Sequence, residues 1–513
     1  MRNRRHPGGG AVAAGHVDTA RIGAQVMAAG GNAVDAVIAM VFAGAVNEGT
    51  LTSLGGGGFL LVAGGDEPPT VLDCFARRPG LGEDPAKIRA PWEEFALELD
   101  GATLRFGTGP ASVAVPALPA GLARASRRWG AIPLSEAARP AADLAQRGVA
   151  LTVAQATEHD ANVELMQRDP QAARIFGKPA RAAGDIFQQP ALAAAIEEIA
   201  ATGAASFYTG GIADRIIAWS ESRGARITRQ DLASCAAIER PALIEKIGDV
   251  TMATTPEPSL GGGLIARILP ALVPARAQSS GADLAVARSL IATLRELRPP
   301  VTRAPIHAEV EGHHPGHISD ADAGALGSAP PGATRSPNTT HVSAIDSNGL
   351  LCAATTTVGY GSGEFIPDMG IQLNNMLAEY DNRHGGVAGG PVPSMMAPSV
   401  LVGERTTVAL GSAGSDRIPQ AISQVLARMW CGADLEAAVA APRFVYDGTS
   451  VHCEAGFDQD AIQQLQQQFD DVVEWPGHDA YFGTCNGASW SASGLHAVGD
   501  PRREGTGFVI DID

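Results

Sequence analysis

Residues 339–357, TTHVSAIDSNGLLCAATTT, read as a β-hairpin whose turn fixes the pairing of both arms. Ser347, Asn348 and Gly349 have the length and chemistry of a three-residue hairpin loop. Such loops close on a left-handed residue, and Gly349 stands at that position. Asp346 then faces Leu350, and counting outward places Thr339 opposite Thr357. Directly opposed side chains have Cβ atoms about 4.5–5.5 Å apart, near enough for two hydroxyls to bond. A slip of one residue would break the pair. Threonine is common in strands for packing reasons alone, so the pair by itself names no chemistry. What precedes it strengthens the case for a catalytic threonine. A threonine becomes a nucleophile when a base stands beside it, and the α-amine of a chain-starting threonine is such a base. That amine has a pKa of about 7.7–8.0 in peptides. An internal threonine gains it only if the preceding bond is cut. The segment ending at Asn338 is where an accessible, strained peptide bond is expected.

The whole chain sets outer limits. With 513 residues, 45% hydrophobic and 18% charged, it can bury a large core. A formal charge of −17 argues against nucleic acid and anionic membrane as partners, since both need basic faces. The six cysteines (74, 235, 352, 431, 453, 485) form no CxxC pair and suit neither zinc nor a disulfide framework. Free thiols in a reducing compartment are the expectation. No apolar run reaches the ~18–20 residues of a membrane span. The basic start, MRNRRHPGGGAVAAG, has no signal-type apolar core, so a cytoplasmic location is expected.

The pattern along the chain predicts a helix from Asp18, with Asp18 as its N-cap, and a second capped by Asn32. The second, AVDAVIAMVFAGAV, is apolar on nearly all sides and should be buried. GGGGFLLVAGG (55–65) reads as a glycine loop entering a buried strand. Helices are predicted at 117–128, 134–147 and 190–203. The stretch 271–338 reads as an irregular linker, and strands dominate from 339 onward. This distribution points to layered helix-and-sheet packing. His313, His314 and His317 lie in the linker with no helix to set a ligand spacing, so a solvated loop is expected rather than a metal site. GGGGF lacks the GK[ST] of a phosphate loop. His341 falls on the same strand face as Thr339, and a hydrogen-bonded structural histidine is the expected reading.

Several blocks together resemble one family. TTHVSAIDSNGLLCAATTTVGYGSG…GIQLNN, GGNAVDAVIAMVFAGAV…LTSLGGGGFLLV, ASFYTGGIADRI…GARITRQDLASCAAIERPAL, PSMMAPSVL, LGSAGSDR, AAPRF and GDPR are similar to the γ-glutamyltransferase (γ-glutamyltranspeptidase) family of N-terminal-nucleophile hydrolases. The blocks run in family order from about residue 10 to 505. The resemblance implies an α+β fold, a four-layer αββα sandwich. It implies a precursor that cuts itself between Asn338 and Thr339. The resulting pieces, 1–338 and 339–513, would stay associated as one unit, with a homodimer of such heterodimers as an expected assembly. It implies Thr339 as nucleophile with its own amine as base, and Thr357 orienting it. The backbone N–H groups of Gly414 and Ser415 would form the oxyanion hole. No cofactor and no metal are implied, and the partner is a small-molecule substrate.

The substrate-binding positions carry over less faithfully. The family's carboxylate-binding Arg falls on Phe75, with Arg77 and Arg78 close by. The acid that grips the substrate amine is Glu379, and a neighbouring Gln is Met376. The Asn two residues beyond the second Thr is Gly359, and the paired serines become Ser394 and Met395. A pocket built to bond polar atoms loses its preference sharply when those atoms go. The activity that the resemblance implies is hydrolysis or transfer of an acyl, γ-glutamyl-like group from a small amino-acid-derived amide. The alternative keeps fold and nucleophile with a changed substrate: an acylase, another amidohydrolase, or a carbon–carbon bond hydrolase in making alkylproline units. An inactive binding scaffold is the third reading.

Overall fold

The computed structural model describes residues 9–511 apart from 66, 85, 100–101, 178, 249, 278–281, 298–338, 379–385 and 405. Among these, thirteen strands form two large sheets. In chain order they are β1 (Gly10–Ala14), β2 (Gly57–Ala63), β3 (Thr70–Cys74), β4 (Ile238–Pro241), β5 (Leu243–Ile247), β6 (Val250–Thr254) and β7 (Thr339–Ile345). They continue as β8 (Leu351–Thr357), β9 (Ser399–Val402), β10 (Thr406–Ala413), β11 (Thr484–Ser491), β12 (Gly494–Val498) and β13 (Thr506–Ile510). The first sheet has the order β13-β1-β7-β8-β2-β3-β4 and the second β12-β11-β10-β9-β6-β5.

The hairpin has the register that its turn predicts. Thr339 pairs with Thr357 and Ile345 with Leu351. Asp346 N–H donates to the Leu350 carbonyl at 3.1 Å, and Gly349 has φ 80°. Strand alternation then sorts the first sheet's side chains into two cores. Val12, Leu60, Val62, Val342, Ala344, Cys352 and Ala354 join one core with the helices α1 (Val17–Ala28) and α2 (Ala33–Asn47). Ala11, Phe59, Leu61, Ile345, Leu351 and Ala353 join another with β6, β9 and β10. The two sheets meet closely where Gly411 of β10 lies over His341. A Cβ there would come within 2.3 Å of the imidazole ring, so only glycine permits that approach.

Helix α2 is buried along all fifteen residues and capped by Asn32 and Asp35 in a reciprocal box, as its composition predicts. It packs on β7 and β8. For α1 the expectation is corrected: His16 caps it, its side chain accepting from Asp18 N–H, while Asp18 lies inside the first turn. The predicted helices of the first half are found at Leu118–Trp129, Leu134–Arg147 and Pro190–Thr202.

Two larger corrections concern the middle and the end. The expected linker does not begin at 271: α3 (Leu260–Arg276) and α4 (Ala282–Leu297) occupy its first part. Pro270 and Pro274 lie inside α3, and three consecutive glycines follow its first residue. Those residues read as breakers in isolation, and burial of Ile265, Ile268, Leu269 and Leu272 overrides them. The second half is also less strand-dominated than expected, since α5 (Ile418–Trp430) follows β10 and packs on it.

Candidate active site

Thr339 opens β7 and is 7% exposed. Its hydroxyl donates to Thr357 Oγ1 at 3.3 Å, and Gly359 N–H donates to the same oxygen at 2.9 Å. Gly359 has φ 68°, and this left-handed turn folds its N–H back onto the strand end. Thr339, Thr357 and Gly359 are thus brought together. One pair further along the same face, His341 Nδ1 and Nε2 lie 2.8 Å from Thr355 Oγ1 and Ser343 Oγ. His341 is fully buried, and burial holds its pKa down to about 3. Both ring nitrogens are occupied and the ring is neutral, which is the structural role expected from the sequence.

The loop after β8 is fastened by two asparagines. Asn374 Nδ2 donates to Gly55 O at 2.8 Å and Ala114 O at 3.0 Å, and its Oδ1 accepts from Ala114 N–H. Asn375 Nδ2 donates to Gly107 O, and its N–H reaches Val358 O. Met376 therefore starts a buried 3₁₀ turn beside the strand carrying Thr357. Gly414 (φ 130°) and Ser415 (φ 54°) form a tight turn at the end of β10, closed by Arg417 N–H to Gly414 O. Among the described residues no hydrogen bond links that turn to Thr339.

The remaining substrate-binding candidates are more dispersed. Phe75 is buried and stacked on Phe59, ring centroids 5.6 Å apart. Arg77 turns to Asp73, Nη1 to Oδ1 at 3.2 Å, and Arg240 takes the other carboxylate oxygen at 2.9 Å. The Arg78 backbone pairs with Gly389 and Gly390. Ser394 Oγ accepts from Met396 N–H and its carbonyl from Leu260 N–H, which seats Ser394 and Met395 at the start of α3. Asn338, Glu379, His313, His314 and His317 lie outside the described residues.

Three groups behind the site were not legible in the sequence. Arg503 Nη1 donates to the Thr339 carbonyl at 2.9 Å. Glu48, at the C-terminal end of α2, accepts from Thr340 Oγ1 at 2.9 Å. Asn486 Nδ2 donates to His341 O at 2.8 Å and its Oδ1 accepts from Asp500 N–H. Asp500 belongs to a buried ion network. Arg443 Nη2 reaches Asp500 Oδ2 at 2.8 Å, and Arg502 bridges Asp500 Oδ1 and Glu454. Burial alone would raise the Asp500 carboxyl, but Arg443 and Arg502 outweigh it and hold it below the usual carboxylate range. The blocks AAPRF and GDPR, far apart in sequence, are therefore two halves of one ion cluster.

Glu48 makes a testable contribution to stability. Burial pushes its pKa from 4.5 up to about 7, against the pull of Arg503 and Thr340. A folded carboxyl with a raised pKa holds a proton that the unfolded chain releases. Its contribution is therefore full below pH 4.5 and is lost as pH rises to about 7. The loss is on the order of 3 kcal/mol. Glu48→Gln is expected to flatten the fall in unfolding midpoint across that window. An unchanged profile would rule the buried acid out as its source.

A profile for Gamma-glutamyltranspeptidase matches residues 19–296 and 304–510. The chain belongs to the gamma-glutamyltranspeptidase family. It is 28% identical over 557 residues to the glutathione hydrolase proenzyme of Pseudomonas aeruginosa, covering 98% of this chain and 95% of that one. It is 27% identical over 536 residues to the acylase ACY 1 proenzyme of Pseudomonas sp. strain SE83, covering 98% and 96%. Among solved structures, cephalosporin acylase from Bacillus halodurans superposes with a TM-score of 0.76 at 21% identity, covering 99% and 97%. That likeness speaks to the fold alone. Members of the family are enzymes, and the proenzyme names of the relatives denote precursors.

Proposed function

We propose that this family member is a self-processing N-terminal threonine hydrolase or acyltransferase built as a four-layer αββα sandwich. The observation that carries the reading is the Thr339 hydroxyl paired with Thr357 at the very start of β7. The Thr339 oxygen attacks the Asn338 carbonyl carbon. The C–N bond breaks, its nitrogen takes the hydroxyl proton, and an ester remains. Water opens the ester, leaving an Asn338 carboxylate and a Thr339 bearing both hydroxyl and amine. The pieces 1–338 and 339–513 stay associated.

In turnover the freed amine takes the hydroxyl proton as the oxygen attacks a substrate amide. The tetrahedral oxyanion is met by the N–H groups of Gly414 and Ser415, a turn of small residues that suits close approach. The leaving amine departs with a proton, and water or a second amine resolves the acyl-threonine. Six free thiols support placing the protein in a reducing compartment, the cytoplasm. A homodimer of processed heterodimers is the assembly we propose.

The acyl group is γ-glutamyl-like in the first reading. A second reading, an acylase of altered specificity, is favoured by one observation: Phe75 is packed on Phe59, and Arg77, one of the two cations beside it, is engaged by the protein's own Asp73. One experiment addresses both. The matured protein is incubated with a γ-glutamyl anilide and with N-acyl amides, quenched in acid, and the small chain is weighed. A chain that begins at Thr339 and carries the γ-glutamyl mass supports the first reading; a different acyl mass on Thr339 supports the second. A chain that begins elsewhere, or an adduct on another residue, overturns both.

A further inference from the structure

The face of β7 opposite the Thr339–Thr357 pair carries a buried charge cluster that the scheme above does not use. Glu48 is 4% exposed. Its Oε1 accepts from Thr340, and its Oε2 has no hydrogen-bond partner. The space is shaped for this carboxylate, since a Cβ on Gly15 would lie 2.7 Å from Oε1 and 3.0 Å from Thr340 Oγ1. Arg503 Nη1 clamps the Thr339 carbonyl while its Nε lies 3.4 Å from Glu158 Oε1. Glu158 Oε2 in turn accepts from Thr50 Oγ1 at 3.4 Å. The charged groups that act on Glu48 are Arg503, from the turn before β13, and Glu158, from the helix Val153–Met166.

We propose that Arg503 and Glu48 are positioning residues for Thr339: the guanidinium clamps its carbonyl, and the carboxylate behind it tunes the charge felt by the freed amine. This rests on the N-terminal threonine reading given above. A cation bonded to a residue's own carbonyl oxygen stands on the order of 5–6 Å from that residue's nitrogen. At that range it disfavours the ammonium form and lowers the amine pKa by about one unit. A lower pKa keeps the amine free to accept the hydroxyl proton at neutral pH. Ionised Glu48 acts the opposite way, and its own titration near pH 7 places that effect where the amine works. Thr340 couples the two, because it follows the nucleophile in the chain and bonds the carboxylate.

The test titrates the amine directly. Matured protein is labelled competitively with acetic anhydride across pH, and N-acetylation of the Thr339 peptide is followed by mass spectrometry. Arg503→Met is expected to raise the labelling midpoint by about one pH unit. Glu48→Gln keeps the Thr340 bond and is expected to lower it by about half a unit. Arg503→Lys keeps the charge and should hold the midpoint near the wild-type value. Unmoved midpoints in both Arg503→Met and Glu48→Gln overturn the inference while leaving the nucleophile assignment intact. A small chain that does not begin at Thr339 instead removes the reading beneath it. If Arg503→Met folds but stays uncut, the clamp is supported only if Arg503→Lys restores scission, and Glu48→Gln then decides the electrostatic half. A Glu48→Gln protein that unfolds or stays uncut also overturns it, because the carboxylate would then be a structural group.

Discussion

Thr339→Ala is expected to remain a single uncut chain with no measurable acyl transfer. In the proposed scheme one hydroxyl does two jobs, the attack on Asn338 and the attack on substrate, so its removal stops both. The fold should survive. The substitution deletes one 3.3 Å hydrogen bond from a buried strand, a loss of about 0.5–1.5 kcal/mol. An uncut band on a denaturing gel would then report chemistry rather than misfolding. Any residual turnover should be lower by a factor on the order of 10⁶, as when an activated nucleophile is deleted. Thr339→Ser keeps the oxygen and should still cut, more slowly. Thr357→Ala keeps the nucleophile but removes the oxygen that accepts from it and from Gly359 N–H, so intermediate activity is expected. Full scission of the alanine variant would show that another group cuts the chain.

Arg443→Ala is expected to be the most destabilising single change away from Thr339. Its guanidinium is fully buried and donates to Gly483 O at 2.7 Å, Val439 O at 2.8 Å and Asp500 Oδ2 at 2.8 Å. Removing one member of a buried ion cluster costs about 3–5 kcal/mol, because the partner charge stays behind without its pair. Lysine in its place carries the charge but not the planar fork that serves two carbonyls and a carboxylate at once. Arg443→Lys should therefore recover only part of the loss. The damage should also reach the site. Gly483 backs the Gly414 turn, where an added Cβ would lie 3.1 Å from Gly483 Cα. A drop of several degrees in unfolding midpoint with a lower soluble yield is the expected result. A midpoint within one degree of wild type would show that Arg502 alone sustains Asp500.

The parts of the molecule that could be read from sequence are those where local rules and tertiary fate agree. The SNG turn fixed the register of β7 on β8, and Asn32 with its apolar run fixed α2. Local rules failed where burial overrode them. The prolines of α3 are tolerated because the helix buries Ile268, Leu269 and Leu272. His16, a weak capping residue by type, takes the cap in place of Asp18, its Nδ1 accepting from Asp18 N–H at 3.1 Å. In the site, Thr339 and Thr357 were visible because a hairpin brings residues eighteen apart into register. Glu48 and Arg503 were not, because the groups they bond, Thr340 and the Thr339 carbonyl, lie 292 and 164 positions away, and no spacing rule spans such distances.

The order of the first sheet has one more consequence. β7 and β8 lie between β1 and β2, and β13 lies outside β1, so strands from before and after residue 338 interleave across a single hydrogen-bonded surface, meeting at three seams. The proposed scission ahead of Thr339 would create two polypeptides but no two modules. Each would present open edges where its neighbour's strands belong, and neither could leave without unzipping the sheet along every seam.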